Sequence, residues 1–122
     1  MNVTMQDRVA IVTGGSKGLG FAMARRFAES GGKVAIVARG AEDLSAARTA
    51  LAKDGLIVRD YVCDVSRAAD ISSTFEKIVS DFGQVDILVN NAGTSRAMSF
   101  ETVTDEMWQQ DLDLKLDRKS VV

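Results

Sequence analysis

At 122 residues, 46% hydrophobic, 26% charged and with a net charge of −2, the chain has the make-up of one ordinary folded domain, large enough to remove roughly two-thirds of its unfolded surface from water. Too much of it is apolar for a disordered chain, and its longest purely apolar run, residues 34–38, falls far short of the about 20 residues of a membrane span. The absence of histidine excludes imidazole chemistry, the single cysteine excludes an internal disulfide and a cysteine zinc cluster, and a pI near 5.1 argues against a nucleic-acid binder.

In chain order, short β-branched runs alternate with longer helical stretches, without repeats, low-complexity tracts or any proline. Residues 1–8 lack the layout of a signal peptide, so a cytoplasmic setting is expected. Residues 8–13 (RVAIVT) read as a buried strand. A helix is expected over 18–30, with Leu19, Met23 and Phe27 on its apolar face and Gly31 and Gly32 as the stop. Residues 33–38 (KVAIVA) form a second apolar run. The alanine-rich stretch 41–54 predicts a helix with Leu44, Ala47 and Leu51 on one face, stopped by Gly55. A third strand is expected over 56–63. Ser66 is the expected N-cap of a helix carrying Ile71, Phe75, Ile78, Val79 and Phe82, and Gly83 ends it. Residues 85–90 (VDILVN) predict a fourth buried strand.

Strands alternating with helices imply a parallel sheet with helices on both faces. The expected fold class is therefore α/β: a Rossmann-like half of roughly four parallel strands, in a βαβαβαβ order over 8–90. The last segment is ambiguous. Thr104 suits an N-cap, and Trp108, Leu112 and Leu116 fit helical spacing, yet 111–117 (DLDLKLD) alternates at the strand period. Helix is the expectation there. Asp111, Asp113 and Asp117 read as a solvated face, since the glycine of a calcium loop is missing.

The first strand runs into Thr13-Gly14-Gly15-Ser16-Lys17-Gly18-Leu19-Gly20. Glycines between a strand and a helix permit a tight turn and a close backbone approach. The helix N-terminus then offers free N–H groups and a positive dipole to a pyrophosphate. The same turn could also be a tight connection that binds nothing. No G-K-[ST] follows at the spacing of a P-loop.

Thr13, Gly14, Gly18 and Gly20 match T-G-x-x-x-G-x-G, so the sequence resembles the short-chain dehydrogenase/reductase family. Asp64-Val65 resembles that family's adenine-contacting pair, and Asn90-Asn91-Ala92-Gly93 its N-N-A-G. The three motifs follow three predicted strands in order, and the resemblance spans about residues 5–116. It implies a dinucleotide site formed by Gly14, Ser16, Lys17, Gly18, Leu19, Gly20, Arg39, Asp64, Val65, Asn91, Ala92 and Gly93. Asn90 is expected to tie neighbouring loops together, while Asn91, Ala92 and Gly93 approach the cofactor by backbone. Asp64 has a local capping role as its other reading. Cys63 reads as a buried strand thiol.

An NAD site usually ends its second strand with an acid that bonds the ribose hydroxyls. Here that strand ends Ala38-Arg39-Gly40, with Glu42 and Asp43 beyond it. Arg39 suits a 2′-phosphate, and the resemblance implies Lys17 as the family's other basic position for it, which together favour NADP(H) over NAD(H). The alternative is that both are solvated loop charges.

By the same resemblance, hydride transfer to a carbonyl or from an alcohol uses a tyrosine with a lysine four residues on, a serine upstream and an asparagine before them. The one tyrosine, Tyr61, is followed at that spacing by Val65, and it lies on the third strand. The asparagine position falls at Lys115. The expectation is thus a dinucleotide-binding half, 1–116, that stops before the later strands, with a tail, 117–122, that departs from the family. Such a half would bind NADP(H) without catalysing alone. It is also expected to self-associate through an exposed fourth-strand edge or the terminal segment. The alternative is a non-enzymatic, self-assembling Rossmann half with an empty cofactor loop.

Overall fold

The computed structural model describes residues 7–64, 66–91 and 120–121. Strand β1 (Val9–Thr13) leads to helix α1 (Gly18–Glu29), then β2 (Lys33–Ala38), α2 (Ala41–Ala52), β3 (Val58–Val62), α3 (Ala68–Phe82), β4 (Ile87–Asn90) and a two-residue β5 (Ser120–Val121). Every element expected between residues 8 and 90 forms, with ends that shift by up to two residues, the usual play at frayed termini. The ambiguous stretch 111–117, with Trp108, lies outside the described residues, as do Val65, Ala92 and Gly93.

All strand pairs are parallel, and the sheet order is β3-β2-β1-β4-β5. Thr13 is level with Val37 on one side and Asn90 on the other. The inner strands β1, β2 and β4 are largely apolar without alternation because both faces of the sheet are covered there, whereas the edge strand β3 carries Arg59 and Asp60. The pleat then divides the apolar residues between two cores. Ile11, Ala35, Val37, Tyr61 and Leu88 meet Ile71, Phe75 and Ile78 of α3 on one face. Val12, Val34, Ile36 and Val58 meet Ala24 and Ala28 of α1 and Leu44, Ala47 and Leu51 of α2 on the other. Phe75, fully buried, contributes about 3 kcal/mol through its burial.

Three expectations change. The buried stripe of α1 is Gly20, Ala24 and Ala28, while Leu19 is 68% exposed. Small residues let the helix backbone sit close to the sheet, and Leu19 turns outward. Ser66 does not cap α3: the N-cap position is Arg67, and Ser66 lies in the preceding turn, donating from N and Oγ to Asp64 Oδ1 at 3.0 and 2.6 Å. Finally, the edge of β4 is not left wholly without a partner. Ile87 and Leu88 pair with Ser120 and Val121, so part of the tail completes two rungs of that edge. Two residues carry no period, so nothing of strand length announces this pairing in the sequence.

Between β1 and β4 the chain order reverses. Beyond β1 the sheet grows towards β2 and β3, with α1 and α2 on one face. Towards β4 it grows the other way, with α3 on the opposite face. In a parallel sheet this reversal opens a crevice at the carboxyl ends of the strands, where ligands bind.

Candidate dinucleotide site

The turn after β1 stands at that crevice and is lashed to both neighbouring strands. Gly14 N donates to Val37 O at 2.7 Å. Thr13, buried, donates from Oγ1 to Val89 O at 3.2 Å and accepts from Asn91 N at 2.9 Å. Asn91 Nδ2 donates to Gly14 O at 3.3 Å. Asn91 thus ties the loops together through both its backbone N–H and its side-chain amide; the side chain of Asn90, expected in that role, lies outside what the structure describes.

The glycines have different duties. Gly14 and Gly18 hold φ of +65° and +54°, the left-handed region that other residues enter at a cost. Gly20 has no room for a side chain, since an added Cβ would stand 2.2 Å from Gly14 O and 2.7 Å from Asn91 Nδ2. Gly15 is also constrained, though less tightly, because its Cβ would lie 2.8 Å from Ile36 Cγ2. That position carries no weight in the sequence fingerprint. Its constraint comes from a β2 side chain, and only the fold reveals it. Gly18 is the opposite case. A Cβ there would meet nothing within 4 Å, so its backbone faces open space.

That opening lies at the start of α1. No side chain caps this helix, and its first turn holds no acid. The first N–H groups of a helix have no intrahelical partner and carry the positive end of the dipole. An anion approaching over Gly18 meets backbone donors rather than side chains. The residues present therefore fit a dinucleotide pyrophosphate at Gly14, Ser16, Gly18, Leu19 and Gly20.

The cations expected at the 2′ position stand at the same end of the sheet. Lys17, exposed, is the N-cap residue of α1, and its Nζ lies 3.1 Å from Asp43 Oδ2 in the first turn of α2. Arg39 is exposed immediately after β2. Asp64, just beyond β3, is half-buried and accepts from Ser66, so its carboxylate shapes the turn into α3. Asn91 follows β4. Gly14, Lys17, Arg39, Asp64 and Asn91 thus all follow the carboxyl ends of successive strands of one sheet.

The chain's tyrosine is occupied elsewhere. Tyr61 is buried on β3, and its hydroxyl donates to Asp81 Oδ2 of α3 at 2.7 Å. Burial first, and then the carboxylate at its hydroxyl, push this phenol well above its ordinary pKa. Burial likewise raises the Cys63 thiol, which keeps it protonated and unreactive. A groove of about 870 Å³ runs along β3, but it is lined by compensating charges, with Arg48 3.2 Å from Asp60 and Arg59 3.8 Å from Asp81. Among the described residues there is no group of three or more potential metal ligands and no helix long and apolar enough to cross a membrane.

Comparison with known proteins agrees with this geometry. The family profile described as short chain dehydrogenase matches residues 8–117. A putative ketoacyl reductase of monensin polyketide synthase from Streptomyces virginiae is 39% identical over 111 residues, which are 91% of this chain and 42% of the relative. The 3-oxoacyl-[acyl-carrier-protein] reductase FabG of Chlamydia muridarum is 37% identical, covering 95% of this chain and 47% of its own length. Among solved structures, an NAD+-bound xylitol dehydrogenase superposes with a TM-score of 0.84 at 25% identity, over 98% of this chain and 53% of that one. L-Sorbose reductase from Gluconobacter frateurii, complexed with NADPH and L-sorbose, superposes with a TM-score of 0.73 at 38% identity, over 77% and 36%. The chain spans less than half the length of the curated relatives it matches. With the glycine turn, the switch point and the family profile in agreement, the chain belongs to the short-chain dehydrogenase family.

Proposed function

We propose that these 122 residues form the NADP(H)-binding part of a short-chain oxidoreductase acting on a carbonyl or an alcohol. The observation that carries this reading is the start of α1: an uncapped, acid-free helix N-terminus beneath an open Gly18, at the point where strand order reverses. The backbone from Gly14 to Gly20 receives the pyrophosphate. Lys17 and Arg39 supply charge to a 2′-phosphate. Asp64 and Val65 border the adenine, and Asn91, Ala92 and Gly93 border the ribose and nicotinamide half. When bound there, the cofactor would supply hydride transfer to or from the substrate carbon.

Proton transfer needs a group that these residues do not provide. The sequence contains no tyrosine followed four residues later by lysine, and Tyr61 is committed to Asp81. The 122-residue chain accordingly binds cofactor without turning it over. Relatives bound to NAD+ and to NADPH both exist, so the preference for NADP(H) rests on Lys17 and Arg39.

Calorimetric titration of the purified chain with NADPH and then NADH tests the reading. Saturable NADPH binding, weakened by Lys17→Ala or Arg39→Ala, is expected. Tighter NADH binding would overturn the cofactor assignment. NADPH oxidation proportional to chain concentration would refute the inactive reading.

A second reading is favoured by the edge of β4, where, among the described residues, the parallel partner spans Ile87 and Leu88. Unfinished edges pair with other chains, so self-association through this edge or the terminal segment is part of the proposal. A non-enzymatic, self-assembling half would then leave the glycine turn empty. Light scattering that reports a monodisperse monomer contradicts self-association, and cofactor binding contradicts the empty loop.

A further inference from the structure

The cation placed to meet a 2′-phosphate already faces an anion. Lys17 belongs to the turn after β1 and Asp43 to the first turn of α2, so their 3.1 Å contact bridges the turns that follow β1 and β2. The carboxylate stays close to the start of its own helix: its Oδ2 lies 3.6 Å from where a Cβ on Gly40, the N-cap residue of α2, would stand. The pair is exposed, 75% for the Lys17 side chain and 52% for Asp43. Contacts of this kind are weak and readily exchanged.

We infer that Asp43 is a specificity-determining residue, which holds Lys17 in place of a 2′-phosphate and so narrows the preference for NADP(H) over NAD(H). The inference rests on the NADP(H) reading above. To reach Lys17, the phosphate must displace the carboxylate or share the ammonium with it, whose three donors allow either. In both cases two anions face each other at short range, and the repulsion subtracts from NADP(H) affinity. NAD(H) carries a hydroxyl at that position. It meets no such repulsion and can donate to the carboxylate. The positive end of the α2 dipole steadies the negative charge of Asp43 where it is.

The test is calorimetric titration of the 122-residue chain with NADPH and with NADH, for the wild type, Asp43→Asn, Lys17→Ala and the double variant. Asparagine keeps the shape of the exposed side chain and removes its charge. NADPH affinity is expected to rise about three- to tenfold in Asp43→Asn, with NADH affinity unchanged or lower. The gain is expected to shrink in the Lys17→Ala background, and at high salt. If wild-type chain binds NADPH and Asp43→Asn leaves the NADPH-to-NADH ratio unaltered, the inference fails while the NADP(H) reading stands. An equal gain with and without Lys17 overturns the route through Lys17. If the wild type binds neither cofactor, the NADP(H) reading fails and the inference with it.

Discussion

The turns that follow β1 and β3 begin alike, each running from the carboxyl end of a parallel strand into a helix, and they solve the turn differently. After β3, a side chain does the work: Asp64 Oδ1 accepts from Ser66 N and Oγ, and Asp64 O accepts from Arg67 N. After β1, the backbone does most of it, with glycines at positive φ and hydrogen bonds to Val37 and Val89 on neighbouring strands and to Asn91 just beyond β4. The first solution engages the Asp64 carboxylate in the turn. The second leaves α1 without a side-chain cap and with no acid in its first turn. A phosphate site needs the second kind of turn.

The largest expected effect comes from Gly20→Ala. The added Cβ would meet the backbone oxygen of Gly14, and neither atom belongs to a flexible side chain. A loss of about 3 kcal/mol in stability is expected, from chemical denaturation, together with loss of cofactor binding. A smaller stability effect separates support from recognition. Thr13→Val removes the acceptor of Asn91 N and the donor to Val89 O, which costs about 2 kcal/mol. Its effect on cofactor affinity follows from the position of Asn91 alone.

Gly18→Ala sharpens the comparison further. Its Cβ meets nothing in the protein, so only the left-handed φ is strained, at about 1 kcal/mol. The same Cβ projects where a pyrophosphate would lie, so cofactor binding should fall far more than stability does. Equal losses in both would mean the opening over Gly18 is not a ligand approach.

At the other end of the comparison, Tyr61→Phe removes the hydrogen bond to Asp81 and should cost about 1 kcal/mol without altering cofactor affinity. The Tyr61 phenol titrates higher in the folded state than in the unfolded chain. Its contribution is therefore complete below the unfolded value, about 10, and declines as pH rises above it. As Tyr61 is the chain's one tyrosine, tyrosinate absorbance reports this directly. Alkaline destabilisation that persists unchanged in Tyr61→Phe would assign it to another group.

Much of the fold was readable from period and punctuation. Strands buried on both faces show as unbroken apolar runs, and α3 shows its stripe of Ile71, Phe75 and Ile78 plainly. What escaped depends on partners distant in sequence. Leu19 looks like a core residue by spacing, but Gly20 brings α1 so near the sheet that alanines fill the contact. Gly15 is fixed by Ile36, and Lys17 is engaged by Asp43, both from the next β-α unit. The glycine motif was legible because its constraints are local backbone ones. Asn91 was legible as part of a motif, but its double tie to Thr13 and Gly14 was not.

The central claim is that the turn after β1 is where this chain receives a phosphate, through backbone N–H groups. Amide shift mapping of the isotope-labelled chain during NADPH titration tests it most directly. The account predicts the largest shifts at Gly14 to Gly20, with further shifts at Arg39 and Asn91 and little change along β3. Shifts confined to the groove around Arg59 and Asp81, or none at saturating NADPH, would contradict it.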